Sequence, residues 1–185
     1  MTAIIQTEKL TKSYGPHRGI VGIDLEVKEG EVFGFLGPNG AGKTTTIRTI
    51  LDLIRPTRGR ASVFGIDSRE DPVAIHRRIG YLPGEFTLYD RLTGGQTIAY
   101  FANLRGGVDP AYQAALISRL GVDPTRRFKE YSKGNKQKIG LILAFQHRPE
   151  LLILDEPTSG LDPLVQQSFS SLVREAKEEI GRAHV

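Results

Sequence analysis

Apolar and polar positions alternate along Ile4 to Leu10 and again along Ile20 to Val27, which predicts two half-buried strands. Thr11-Lys12-Ser13-Tyr14-Gly15 reads as the turn between them, and Glu29-Gly30 as the next turn. Val32-Phe33-Gly34-Phe35-Leu36 and Leu151-Leu152-Ile153-Leu154 are short uninterrupted apolar runs, the pattern of parallel strands buried on both faces. Ala61 to Ile66 and Ile79-Gly80-Tyr81-Leu82 are further strand candidates. The rhythm changes at Ile47, Ile50, Leu51 and Ile54, spaced i, i+3, i+4, i+7, a helix closed by Arg55-Pro56. A short helix follows around Val73 to Arg78.

From Leu92 to Leu120 the pattern is helical throughout: Gly95 to Leu104 and Pro110 to Leu120, joined by Gly106-Gly107. Ser132 is placed to cap a helix running to about His147, stopped by Arg148-Pro149. Asp162-Pro163 opens a last helix with Val165, Phe169, Leu172, Val173, Ala176 and Ile180 on one stripe, and Gly181 is expected to end it. Strands alternating with helices imply an α/β core, and the helical stretch reads as a lobe inserted into it.

Composition adds limits rather than direction. The 185 residues are 39% hydrophobic and 25% charged, a globular balance with room for one domain and an inserted lobe. There is no cysteine, hence no disulfide framework and no thiolate metal site, a pattern compatible with a reducing compartment. The longest apolar run, Leu141 to Phe145, is far below the ~20 residues that span a bilayer, and Met1-Thr2-Ala3-Ile4-Ile5 has no signal-peptide pattern. The net charge of +4 is too mild to imply nucleic acid.

The chemistry centres on Gly37-Pro38-Asn39-Gly40-Ala41-Gly42-Lys43-Thr44, which fits G-x-x-x-x-G-K-[ST] between an apolar run and a helix. Glycines let the backbone wrap phosphates closely, and the amides of Gly40 to Thr44 converge at a helix N-terminus, with Thr45 completing the cradle. Lys43 supplies charge for the β- and γ-phosphates, and the Thr44 hydroxyl is a ligand for Mg²⁺. Asp155 ends the second apolar run, where a carboxylate holds Mg²⁺ beside Thr44; Glu156 follows and can polarise a water for attack on the γ-phosphate. Two acids ending a strand in solvent would be unremarkable by themselves; the phosphate loop upstream is what gives them roles.

With these motifs in this order, the chain resembles the nucleotide-binding subunit of an ATP-binding cassette (ABC) transporter over nearly its whole length. The resemblance implies a P-loop NTPase (RecA-like) α/β core with an N-terminal antiparallel β subdomain, over residues 1–90 and 148–185, and an α-helical subdomain inserted over 91–147. Tyr14 sits where the family stacks an aromatic on adenine; a turn tyrosine packing on the core is the plainer alternative. Tyr131-Ser132-Lys133-Gly134-Asn135 stands at the family signature, usually Leu-Ser-Gly-Gly-Gln, in a variant form similar to that of bacterial drug or antibiotic exporters. Ser132, the Gly134 amide and the helix behind them would bind anion supplied by a second subunit's phosphate loop. Ser159-Gly160-Leu161-Asp162 resembles the loop that crosses that dimer interface. The implied partners are a second copy or a paralogous ATPase subunit, head to tail, and a membrane permease docking near Gly84 to Leu92; the implied ligands are ATP and Mg²⁺. Such a subunit would lie on the cytoplasmic face of the cell membrane through its permease, without binding nucleic acid.

Two further departures and a cluster of basic residues accompany the resemblance. Gly84 occupies the position of a usual glutamine that contacts Mg²⁺; Glu85 beside it is either a replacement ligand or a plain loop charge. Arg126, Arg127, Lys129, Lys133, Lys136 and Lys138 surround the signature, a solvated basic face before it is an ATP attractor or a nucleic-acid site. The family continues past the last helix into a core strand and a switch histidine. This chain reads as truncated or shortened there, and His184 as a tail residue. The reading is thus an ATP-binding and hydrolysing subunit of an exporter. Its rivals are a dimerising ATP-binding module with little turnover and a soluble ABC ATPase unconnected with transport.

Overall fold

A computed structural model describes residues 2–15 and 17–182, so His184 lies outside the described residues, as does the Ile180 side chain. The chain forms two compact units, Met1–Arg78 with Lys177–Val185, and Ile79–Ala176.

In the first unit, β1 (Ala3–Tyr14) and β2 (His17–Lys28) form one long antiparallel hairpin, so the turn expected over Thr11 to Gly15 is tighter than its sequence suggests. β3 (Arg58–Val63) pairs antiparallel with β1, and β4 (Ile66–Asp67) with β3, giving the order β2-β1-β3-β4. The single strand expected over Ala61 to Ile66 is therefore two, because Phe64 and Gly65 both take positive φ and turn the chain back. Ile5, Leu10, Ile20, Val27 and Val63 are buried, and register shifts on either side of Leu10, next to Lys9 at φ 47°, interrupt the strict alternation of the hairpin. Thr7 is buried among them, and its hydroxyl donates to the Ile23 carbonyl at 2.9 Å while accepting the Leu25 amide at 2.9 Å. The helix α1 (Lys43–Ile50) is shorter than the apolar spacing implied. Asp52 at φ 53° breaks the helical run, and the Leu53 and Ile54 amides fold back onto the Arg48 carbonyl. The helix α2 (Pro72–Arg78) closes the unit.

The apolar run Val32 to Leu36 does not form the expected buried strand. Residues 31–38 lack regular structure, and Val32 and Leu36 are 60% and 92% exposed. A strand exists only through a partner's hydrogen bonds; among the described residues no strand pairs with this run.

In the second unit, β5 (Ile79–Leu82) and β6 (Leu151–Leu154) pair in parallel, Leu82 opposite Leu154. β6 is half-buried along its length rather than covered on both faces, since β5 is its one partner among the described strands. The helices are α3 (Gly94–Leu104), α4 (Pro110–Arg119), α5 (Lys133–Phe145) and, up to Ala176, α6 (Pro163–Arg182), with a 3-10 turn at Phe128–Glu130. Thr93 and Gln96 form a reciprocal capping box at the start of α3, and Asp109 caps α4 ahead of Pro110. α6 runs through Gly181 instead of ending there; a glycine inside a helix costs only about 1 kcal/mol relative to alanine. Leu116, Phe128, Ile139, Ile142, Phe145 and Phe169 make the core of this unit. Arg119 of α4 grips Glu175 of α6 through two bonds of 2.6 and 2.8 Å, which hold the Glu175 carboxyl below its ordinary range.

Candidate functional site

The phosphate loop in the first unit is built from backbone. The Ala41 amide closes a turn on the Pro38 carbonyl at 3.1 Å, and the Gly42 carbonyl accepts the Thr46 amide at 2.8 Å as the first bond of α1. Gly40 and Gly42 have φ of 81° and 91°, conformations that cost other residues strain. Gly42 also has no room for a side chain: a Cβ there would stand 2.6 Å from Cγ2 of Ile20. Ile20 lies opposite Lys12 in the hairpin whose first strand ends at Tyr14, so the loop rests on the strand pair that presents that tyrosine. The N-terminus of α1 has no side-chain cap and no acidic residue in its first turn, the state in which a helix end suits an anion.

Lys43 folds back over its own loop, its Nζ donating to the carbonyls of Gly37 at 2.6 Å and Pro38 at 3.1 Å. The ammonium is thereby held at the mouth of the cradle. Thr44 and Thr45 follow in the first turn of α1, and the Thr45 carbonyl accepts the Thr49 hydroxyl at 2.7 Å. Asn39 and Ala41 are exposed along the loop. Tyr14 is 45% exposed, with the Lys12 ammonium over its ring at 5.3 Å from the centre.

In the second unit the acids stand at the carboxyl end of β6. Asp155 is buried, and its amide extends the sheet by donating to the Leu82 carbonyl at 2.9 Å. Gly84 brings its backbone up to this carboxylate: a Cβ on Gly84 would lie 3.4 Å from the Asp155 Cγ and Oδ2. Glu85 is exposed beside it. Glu156 is exposed at φ 51°, a left-handed conformation for a residue with a side chain.

The signature forms the entry to α5 in the same unit. Ser132 caps the helix by accepting the Asn135 amide at 3.3 Å. Tyr131, in the place of the usual leucine, is buried; its hydroxyl donates to the Asp123 carbonyl and its ring meets Phe128 edge-on at 6.4 Å. Burial pushes the phenol upward. Arg126, Arg127, Lys129 and Lys133 are exposed, while Lys136 and Lys138 are half-buried and Lys136 lies over the Phe128 ring. Gly134 packs against the loop from Ser159 to Asp162: a Cβ on it would stand 2.4 Å from the Gly160 carbonyl oxygen. Asp162 caps α6 by accepting the Val165 amide at 3.0 Å.

Thus the first unit gathers Tyr14 and Gly37 to Thr45 on one hairpin-and-loop scaffold. The second gathers Asp155, Glu156, Gly84, Ser132 and Gly134. One residue that the motifs pass over is Gln137, buried on α5, whose Nε2 donates to the Glu156 carbonyl at 3.2 Å. Its signal in the sequence is a polar residue one turn into a helix, two positions before the apolar stretch Ile139 to Phe145. Among the described residues no group of three or more His, Cys, Asp or Glu is placed to hold a metal by itself, and no helix is long and apolar enough to cross a membrane.

Residues 20–159 match the ABC transporter family. The chain is 38% identical over 183 residues to the bacitracin transport ATP-binding protein BcrA of Enterococcus faecalis, covering 98% of this chain and 59% of that protein. It is likewise 38% identical over 179 residues to the daunorubicin/doxorubicin resistance ATP-binding protein DrrA of Streptomyces peucetius, covering 94% of this chain and 54% of that one. It therefore spans little more than half the length of these relatives. Among solved structures, an ATP-binding subunit of an ABC transporter superposes with a TM-score of 0.85 at 30% identity, over 95% of this chain and 75% of that chain. The fold class is accordingly the P-loop NTPase class that the motifs imply, a mixed α/β chain with an antiparallel sheet and helices.

Proposed function

Because the chain belongs to the ABC transporter family, we propose that it is the ATP-binding and ATP-hydrolysing subunit that energises export of a drug or antibiotic through a separate permease. The observation that carries this is the intact phosphate loop, with Gly42 pressed on Ile20, an uncapped α1 and Lys43 at its mouth. These fit a nucleotide triphosphate: backbone amides and an ammonium for the phosphates, and Tyr14 open to the base. Mg²⁺, which would offset charge on the phosphates, has its donors in the motifs: the Thr44 hydroxyl in the phosphate loop and, within the second unit, the Asp155 carboxylate with Glu85 as a further candidate. The relatives' roles in bacitracin transport and drug resistance support the export reading.

The residues divide the work. Lys43 and the amides of Gly40 to Thr44 bind and orient the phosphates. Glu156, exposed beside buried Asp155, accepts a proton from water or holds it in line. Ser132 and Gly134 at the start of α5 present a second anion-binding end, which makes sense when offered to another copy's phosphate loop; the assembly is then a head-to-tail pair of this chain or of this chain with a paralogue. Tyr89, 56% exposed and edge-on to Tyr100 at 5.6 Å, gives the stretch from Gly84 to Leu92 an aromatic surface suited to a permease. That contact would place the protein on the cytoplasmic face of the membrane.

Phosphate release from Mg-ATP tests the reading. The wild-type chain should release phosphate steadily, and Glu156→Gln should slow it about 10²–10⁴-fold with ATP affinity kept. Absence of ATP binding by the wild-type chain would overturn it.

A further inference from the structure

We propose that Gln137 is a positioning residue for Glu156, tying the first turns of α5 to the acid's backbone. The inference rests on the role given to Glu156 above. Gln137 is 4% exposed, and its Nε2 donates to the Glu156 carbonyl at 3.2 Å. The same carbonyl accepts the Ser159 amide at 3.1 Å. At the far side of this turn, α5 comes so close to the Gly160 carbonyl that only glycine fits at position 134. The turn from Glu156 to Gly160 is therefore gripped at both ends by one helix.

Glu156 needs such a grip. Its φ of 51° is disfavoured for a residue with a Cβ. Pro157 follows, and a proline disfavours the right-handed helical region for the residue before it. The relaxed alternative is extended backbone, and that rotation about the Glu156 Cα swings its carboxylate to a new direction. The bond from Gln137 opposes the rotation by fixing the carbonyl on the other branch of the same Cα. Gln137 thus acts on the acid through main chain, without touching the reacting atoms. Because Gln137 lies on the helix that begins at the signature, a shift of that helix end reaches Glu156 through this bond.

Gln137→Leu keeps the bulk and removes the donor. It should lower kcat about 10- to 100-fold, the scale of a misaligned catalytic group, with the Kd for ATP unchanged. Hydrogen exchange should quicken at the Ser159 amide and stay slow inside α5. Gln137→Glu cannot donate when ionised but can when protonated, so its turnover relative to wild type should climb as pH falls. That variant carries the test if the leucine variant does not fold. Unchanged turnover and Ser159 exchange in Gln137→Leu would overturn the proposal. So would a joint fall of kcat, ATP affinity and melting temperature, the mark of a merely structural residue. If the wild-type chain bound no ATP, the proposed function would fall instead, and Ser159 exchange would still decide whether Gln137 anchors the turn.

Discussion

The phosphate loop and the acid loop hold their functional groups by opposite means. The first is exposed and made almost wholly of backbone: glycine φ angles, a turn at Pro38, an uncapped helix and a lysine bonded to its own loop carbonyls. The second is set by side chains and close packing from elsewhere in its unit: Gln137 on the Glu156 carbonyl, Gly134 against Gly160, and Tyr131 locked between Phe128 and the Asp123 carbonyl. A site of the first kind is written in consecutive residues. A site of the second kind depends on which distant residues arrive. Substitutions in the first should change binding, and substitutions around the second should change turnover.

The largest expected effect sharpens the first half of that contrast. Lys43→Ala removes the loop's charge and leaves its backbone whole. ATP should bind about 2–4 kcal/mol less tightly, roughly 30- to 1000-fold. Titration of a fluorescent ATP analogue reads this directly, and equal affinities would mean that the amides alone hold the phosphates.

This division also explains what could be read from the sequence. The helix start at Gly42-Lys43, Ser132 as a cap, Asp162-Pro163 as a helix start and the strand Ile79 to Leu82 are all legible, because each rests on local conformation or local periodicity. Val32 to Leu36 was misread as a buried strand, since an apolar run says what a segment would bury and not which strand meets it. Leu151 to Leu154 failed in the same way on its second face. Phe64 and Asp52 have positive φ without being glycine, and so the β3–β4 turn and the early end of α1 gave no warning. Gln137 was passed over because its partner is a carbonyl 19 residues away.

A pair of glycine variants sets the two regions against each other. Gly42→Ala forces a Cβ within 2.6 Å of Ile20 at a left-handed φ, and Gly134→Ala forces one within 2.4 Å of the Gly160 carbonyl. Each should introduce about 1–3 kcal/mol of strain. The first should appear chiefly as weaker nucleotide binding, by calorimetry. The second should appear chiefly as slower turnover, with faster amide exchange over Ser159 and Leu161. If both variants lost the same property in the same measure, the contrast between a backbone-made and a packing-made region would be wrong.

The smallest effect concerns pH and belongs to the second unit alone. The ring of His147 donates through Nε2 to the Ile79 carbonyl at 3.1 Å, beside the Arg105 guanidinium, which donates to the same carbonyl at 3.2 Å. Burial first, and the Arg105 charge second, lower its pKa from 6.5 to about 4. The native unit therefore keeps His147 neutral, while the unfolded chain takes up a proton near pH 6.5. Between those values the unfolded state binds more protons, so stability present above about pH 6.5 is lost as pH falls towards 4. A full shift of this size corresponds to ~3 kcal/mol, and partial exposure reduces the expected loss to about 1–2 kcal/mol. Urea unfolding at a series of pH values measures it, followed by a probe in the second unit such as the Tyr131 environment. His147→Gln should flatten the slope in that window by removing the titrating ring. A slope that persists unchanged in His147→Gln would assign the acid sensitivity to groups other than this ring.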